Sequence, residues 1–294
     1  MSKTPQRRPL AEIYEHFWPA HDGAGLAELE AGLRPRPPVT LFELADGVGV
    51  GPGNLVLDVG CGRGEHALAL AERIDCRVVA LDPLSGNLRQ ARRTPGPHQA
   101  GRLRPGAPNQ VAFLQGLVQN LPFGDATFDL LWSRNMLVHV TNLRRGLGEC
   151  ARVLKPGGVM MVETSVQTPL MEPREATRLY RALSIVPKNL AAGRLEQTFQ
   201  TAGFRIHSRE HLGGEPMEFF ETPDGRCSRE LMRLTKLLRA PESFVAAMGE
   251  TRYQVALAAS QWIIYHLLGK LSTVVYSLEK AAGAKSDDSQ TAAG

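Results

Sequence analysis

Apolar residues in this chain fall into short runs at regular intervals. "NLVLDV" (54–59), "CRVVALD" (76–82), "VAFLQG" (111–116), "FDLLWS" (128–133) and "GVMMVET" (158–164) are continuous and rich in β-branched and large side chains. Helix-like patterns lie between them. Such alternation predicts a parallel sheet buried on both faces, with helices as crossovers. "EHALALAERI" carries apolar residues at helical spacing with Glu65, Glu72 and Arg73 on the other side. "LRRGLGECARVLKPGG" reads as a helix stopped by Lys155, Pro156, Gly157 and Gly158, because proline forbids continuation and glycine accepts positive φ. A helical region over 172–203 closes at "TAGF" and leads into a sixth strand, "FRIHSREHL" (204–212). "SRELMRLTKLLRA" and "RYQVALAASQWIIYHLLG" follow as amphipathic helices, and "LSTVVYSLEK" (271–280) alternates like a last strand. The fold class is therefore α/β, a seven-stranded and mostly parallel sheet, with a helical insertion at 213–269 between the last two strands. The tail 282–294 is small and polar and is expected to be disordered.

Bulk composition narrows the functional classes. The chain has 294 residues, 43% hydrophobic and 22% charged, enough for a packed α/β core. A net charge of +4 permits an anionic partner without demanding one. Cys61, Cys76, Cys150 and Cys227 form no C-x-x-C and no zinc spacing, so no metal is expected and a reducing, cytoplasmic setting fits. The first residues contain no apolar run of secretory length, and "VALAASQWIIYHLLGKLSTVVY" is interrupted by Gln261, His266, Gly269 and Lys270. Neither a signal peptide nor a membrane partner is expected. No Asp or Glu occurs between Asp82 and Asp125, while Arg89, Arg92, Arg93, Arg102 and Arg104 gather there. That segment is either a solvated loop or an anion-attracting rim; it lacks base-stacking aromatics, which argues against a nucleic-acid partner.

The first strand runs into "VLDVGCGRGE", with Gly60, Gly62 and Gly64 in five positions. Residues without Cβ suit a tight turn where backbone approaches a ligand. The spacing is G-x-G-x-G, whereas a dinucleotide fingerprint needs a glycine at position 65, occupied here by Glu65. A carboxylate in the first turn of the following helix would repel a pyrophosphate, and no Gly-Lys-Ser/Thr follows to make a P-loop. Asp82 ends the second strand and can accept ribose hydroxyls; Asp58 ends the first and can hold an ammonium. A ligand with a ribose, an amine and no phosphate fits this pair, and S-adenosylmethionine (SAM) is such a ligand.

"VLDVGCGRG", "LDP", "LPFGDATFDLLWSRNMLVHV" and "ARVLKPGGVMMVE" together resemble, in order and spacing over residues 40–165, the motifs of class I SAM-dependent methyltransferases. The likeness is to the small-molecule branch of ubiquinone/menaquinone-type (type 11) enzymes. The resemblance implies a Rossmann-like core over 40–212 completed by a strand at 270–281, an N-terminal helical lid at 1–39, and an acceptor cap at 213–269. It implies that Gly60, Cys61, Gly62 and Gly64 line the methionine part of SAM, with Asp58 on its amino group. Asp82 would take the ribose, Pro83 and Leu84 would lie beside adenine, Leu117 and Val118 on its other face, and Ser133 and Arg134 at the methionine end. An acidic residue common after the third strand is replaced by Leu117, leaving a backbone carbonyl, Gln119 or water for the adenine amino group.

Methyl transfer from a sulfonium needs chiefly in-line placement of the nucleophile, and a base only where that atom loses a proton. The Asn/Asp-Pro-Pro-Tyr/Phe motif of adenine- and amide-methylating enzymes is replaced by "SRNML". His139 is the candidate base, with a backbone-bonding role as its alternative. In the lid, Tyr14 could touch SAM and His16 or Trp18 the acceptor, or the helix could simply pack. In the insertion, Glu215, Glu218 and Glu221 could meet a cationic amine, while Phe219, Phe220, Trp262, Tyr265 and His266 could wall an apolar acceptor or form core. The expected function is methyl transfer to O, N or C of a small organic acceptor in specialised metabolism, with a homodimer left open. The alternatives are a noncatalytic SAM-binding or scaffold protein and, further off, an NAD-dependent oxidoreductase.

Overall fold

A computed structural model describes residue 12 and residues 41–94 and 109–281, with the side chains of 44–46 and 222–224 outside the description. The segment assigned to a lid, apart from residue 12, and the tail 282–294 lie outside the described residues, as do 95–108 of the arginine-rich stretch. A short helix, α1 (Leu41–Asp46), leads into β1 (Leu55–Val59), α2 (Glu65–Ile74), β2 (Arg77–Asp82), α3 (Ser85–Ala91) and β3 (Gln110–Gln115). There follow β4 (Phe128–Arg134), α4 (Leu143–Val153), β5 (Leu154–Gln167), α5 (Pro173–Ala182), α6 (Ala192–Thr201) and β6 (Phe204–Gly213). Four helices, α7 (Glu215–Asp224), α8 (Arg226–Arg239), α9 (Pro241–Met248) and α10 (Glu250–Leu267), separate β6 from β7 (Leu271–Lys280). The strand order is β3-β2-β1-β4-β5-β7-β6. Pairing is parallel from β3 through β5, and β7 runs antiparallel to both β5 and β6. β5 begins at Leu154, four residues ahead of the sequence expectation, because Leu154 already pairs with Phe128 before a register shift brings Val159 beside Leu130.

Period-two alternation splits the core into two layers. Leu57, Val59, Leu131 and Val162 face one side with α4 and α6, burying Leu147, Cys150 and Phe199. Val56, Leu130, Trp132 and Met161 face the other, against α1 and α2 through Leu41, Ala67, Leu70 and Ala71. Strand order reverses between β1 and β4, and in open α/β sheets a ligand crevice forms outside the carboxyl ends at that point. Among the described residues no helix is long and apolar enough to cross a membrane.

The glycine turn after β1 is sterically fixed. Gly60 has φ +78°, and a Cβ there would lie 2.3 Å from Met136 Cγ and 2.6 Å from its Cβ. Gly60→Ala combines left-handed strain with a collision near a backbone. It should cost about 2 kcal/mol or more of stability, read as a lowered urea midpoint with an unchanged slope.

Candidate cofactor site

The carboxyl ends of β1 and β4 and the start of α2 surround a cleft of about 350 Å³ opening among Asp58, Gly60, Gly62, His66, Arg134 and Asn135, with Asp82 at the end of β2 outside its lining. The glycine turn is tied inward. Gly60 N and Cys61 N both donate to Leu81 O (2.7 and 3.0 Å), and Gly64 N to Cys61 O (2.9 Å). Gly62 N donates to Asp82 Oδ2 at 2.9 Å. Phosphate-binding loops aim such N–H groups at the ligand; here four of them are spent within the protein.

Asp82 is a strut as well as a candidate ligand. Its Oδ1 accepts from Leu84 N (2.8 Å) and Asn87 Nδ2 (3.1 Å), in addition to the Gly62 bond on Oδ2. Of roughly four acceptor sites on a carboxylate, three are taken. The expectation that Asp82 receives both ribose hydroxyls therefore narrows to one free position.

Asp58 is the opposite case. It is 2% exposed, and its Oδ2 has no partner. Burial, then the neighbouring Asp82, pushes its carboxyl up to about 7, against a pull from Arg134. Arg134 is the cross-strand partner of Glu163. Its Nε donates to Glu163 Oε1 at 3.0 Å and its Nη1 meets His66 Nε2 at 2.8 Å. Burial, then Arg134, holds His66 down at about 4. Among the described residues, seven buried side-chain polar atoms lack a partner, and five belong to Asp58, His66, Trp132, Ser133 and Thr164, around the carboxyl ends of β1, β4 and β5. Such groups are rare in folded proteins and concentrate where a ligand or water completes them.

A family model described as a methyltransferase domain matches residues 57–162. The O-methyltransferase cnsE of Penicillium expansum is 31% identical over 194 residues, covering 63% of this chain and 67% of that protein. The chain belongs to the class I SAM-dependent methyltransferases. A sterol 24-C-methyltransferase of Eremothecium gossypii is 39% identical over 125 residues, which is 42% of this chain and only 32% of that protein. The solved [4+2]-cyclase SpnF shares the fold with a TM-score of 0.59 at 22% identity, over 82% of this chain and 81% of that one. The donor set fits the family's cofactor: an unpartnered buried carboxylate suits an ammonium, and the N–H groups of Gly60, Cys61, Gly62 and Gly64 are already bonded within the protein rather than kept for a phosphate.

Within this methyltransferase, sequence-expected residues separate into those at the cleft and those elsewhere. Gly60, Cys61, Gly62, Asp58 and Arg134 line it. Burial, then Asp58, pushes the Cys61 thiol up, so it is no thiolate nucleophile. Gly64 (φ +79°) instead packs against Phe113 and Ala91. Ser133 is fully buried and does not line the cleft; strand alternation turns it to the face opposite Trp132 and Arg134. Val118 sits in the core against Gly146, so its side chain is not offered to a ligand. Leu84 and Leu117 are 61% and 57% exposed, beside exposed Pro83. His139 is exposed on a 3-10 turn, its Nδ1 3.3 Å from Ser184 O, and is not among the cleft-lining residues. Tyr14, His16 and Trp18 lie outside the described residues.

In the insertion, Trp262 and Tyr265 pack against the cluster of Val138, Leu179 and Leu190. Glu221 accepts from Ser228 N. His266 is 2% exposed, with Nε2 2.9 Å from Ser165 Oγ and Nδ1 2.7 Å from Trp262 O. Trp262, Tyr265 and His266 are therefore core, while Glu221 is engaged within the insertion. The residues missed from sequence are His66, Asn135 and Glu163. His66 stands in the first turn after the glycines, which could have flagged it. Glu163 becomes visible only through its register with Arg134.

Asp58 sets a pH signature. Its folded value lies above the 3.8 of an ordinary Asp, so its contribution to the ligand-free fold is full at low pH and is lost as pH rises from about 4 to about 7. Asp58→Asn should raise the ligand-free melting temperature, by an amount that grows over that window and levels above it. Calorimetric scans of both proteins at pH 5 and pH 8 check this.

Proposed function

We propose that the protein binds SAM across the carboxyl ends of β1 and β2 and methylates O, N or C of a small organic acceptor in specialised biosynthesis. The carrying observation is the buried, unpartnered Asp58 carboxylate above a turn in which the N–H groups of Gly60, Cys61, Gly62 and Gly64 are spent. Asp58 takes the amino group, and Asp82 gives its remaining acceptor position to a ribose hydroxyl. The exposed Pro83, Leu84 and Leu117 flank the adenine, and Arg134 meets the methionine carboxylate. When bound, the cofactor supplies a methyl already activated on a sulfonium. The protein's task is then to orient an acceptor and exclude water.

Names of the relatives, an O-methyltransferase and a 24-C-methyltransferase, support oxygen or carbon as the receiving atom. The helices between β6 and β7 form the acceptor-side cap on this reading, and four free thiols are in keeping with a cytoplasmic setting. A second reading, SAM held without methyl transfer, draws on the fold likeness to a protein titled a [4+2]-cyclase, since fold does not fix chemistry. Release of S-adenosylhomocysteine that depends on an added acceptor separates the two.

Two titrations test the cofactor assignment. An ammonium binds the ionised Asp58, so SAM affinity should fall as pH drops below about 7, by up to about tenfold per pH unit; affinity that stays flat from pH 5.5 to 8 argues against the contact. Asp82→Ala should weaken SAM binding by about 1 to 3 kcal/mol in calorimetry, while NADH shows no binding to the parent protein.

A further inference from the structure

Arg134 is held on two sides before any ligand arrives. Glu163 lies beside it on β5, in register, and accepts from Nε; His66, in the first turn of α2, faces Nη1. A guanidinium can only donate, so at that contact His66 Nε2 is the acceptor and the ring proton sits on Nδ1. Its low proton affinity agrees with this, since burial and the adjacent Arg134 keep the ring uncharged near neutral pH.

The imidazole has little freedom to turn. Phe42 stacks on it with centroids 5.1 Å apart and planes at 25°, and Trp132 lies 5.9 Å away. Phe42 also contacts Trp132 at 5.0 Å. Phe42 from α1 and Trp132 from β4 thus flank the imidazole and restrict its orientation. Two of the five N–H groups of Arg134 are used in these bonds, leaving three on a residue that lines the same cleft as Asp58. A cation and an anion in one cleft match the two charges of an amino acid.

We propose that His66 is the positioning residue for recognition of the methionine carboxylate: it accepts from Arg134 and, with Glu163, aims the guanidinium at that carboxylate while Asp58 takes the ammonium. This rests on the SAM reading above. His66 acts through Arg134 and touches no reacting atom. Ring packing and hydrogen-bond acceptance are separable functions of His66, so the substitution can be chosen to remove only the second.

The test compares SAM with decarboxylated SAM, which keeps the sulfonium, ribose, adenine and amine but has no carboxylate. His66→Phe retains the stack with Phe42 and Trp132 and removes the acceptor. It should weaken SAM about tenfold in titration calorimetry and leave decarboxylated SAM within about twofold. His66→Gln, whose side-chain oxygen can accept from Arg134, should recover much of the loss. Retained binding of the decarboxylated ligand also shows that the variant is folded. Equal weakening of both ligands in a variant with unchanged circular dichroism overturns the proposal, as does unchanged SAM affinity. If the unsubstituted protein binds neither ligand, the SAM reading itself fails. If it binds decarboxylated SAM as tightly as SAM, the cofactor reading stands and the carboxylate clamp falls.

Discussion

Two peptide N–H groups on one carbonyl, those of Gly60 and Cys61 on Leu81 O, tie the end of β1 to the end of β2. Buried backbone donors must find acceptors, and adjacent parallel strands ending level with one another offer one here. The consequences run outward. The turn must reverse within a few residues, so Gly60 takes positive φ and leaves no room for a Cβ beside Met136. Gly62 N reaches the Asp82 carboxylate, which then also holds the start of α3 through Leu84 and Asn87. With these four donors turned inward, counting Gly64 N on Cys61 O, the loop differs from an anion-binding turn, and Asp58 beside it brings carboxylate charge. A turn that matches a nucleotide loop in glycine content thereby differs from one in where these N–H groups point.

The same economy explains why Asp58 is left incomplete. A buried carboxylate without a full set of donors costs stability. Its proton affinity rises through burial first and Asp82 second. Trp132 and Thr164 nearby also keep polar atoms without partners. Stability given up around a binding site is common where function needs groups held ready for a ligand. The core can carry it because Val56, Leu57, Leu130 and Leu131, on the strands that bear the cleft, are fully buried.

How much was legible follows from what each feature depends on. Strands β1 to β4, the glycine turn and Asp82 are local patterns, and the apolar runs with their turn residues locate them within a residue or two. The boundary of β5 was misplaced because "LKPGG" carries strong stop chemistry, yet Leu154 still finds a partner in Phe128 across a bulge. Ser133 and Arg134 are neighbours in sequence and opposite in fate, and only strand parity separates them. Leu117 and Val118 divide likewise, one exposed and one packed on Gly146. The Arg134–Glu163 pair needs a β4–β5 register that no short window contains. His66 needs both that register and the placement of α2, and Phe42 adds a third element.

The insertion is bound to the cleft by more than chain continuity. The Trp262 carbonyl can only accept, so His266 donates to it from Nδ1 and its Nε2 accepts from Ser165 Oγ. Ser165 Oγ, its one proton given to His266, is also 3.4 Å from Asn135 Oδ1 as a neighbour without a bond, and Asn135, held at φ +51° directly after β4, lines the cleft. Asparagine tolerates that left-handed backbone better than most residues. Its N–H is in addition fixed to Glu163 O at 2.8 Å. The last inserted helix therefore anchors on β5 at Ser165, next to the cleft-lining Asn135, rather than on a loop. Under the acceptor-cap role proposed above such a mounting matters, because displacement chemistry depends on placing the nucleophile in line with the methyl group to within a fraction of an ångström.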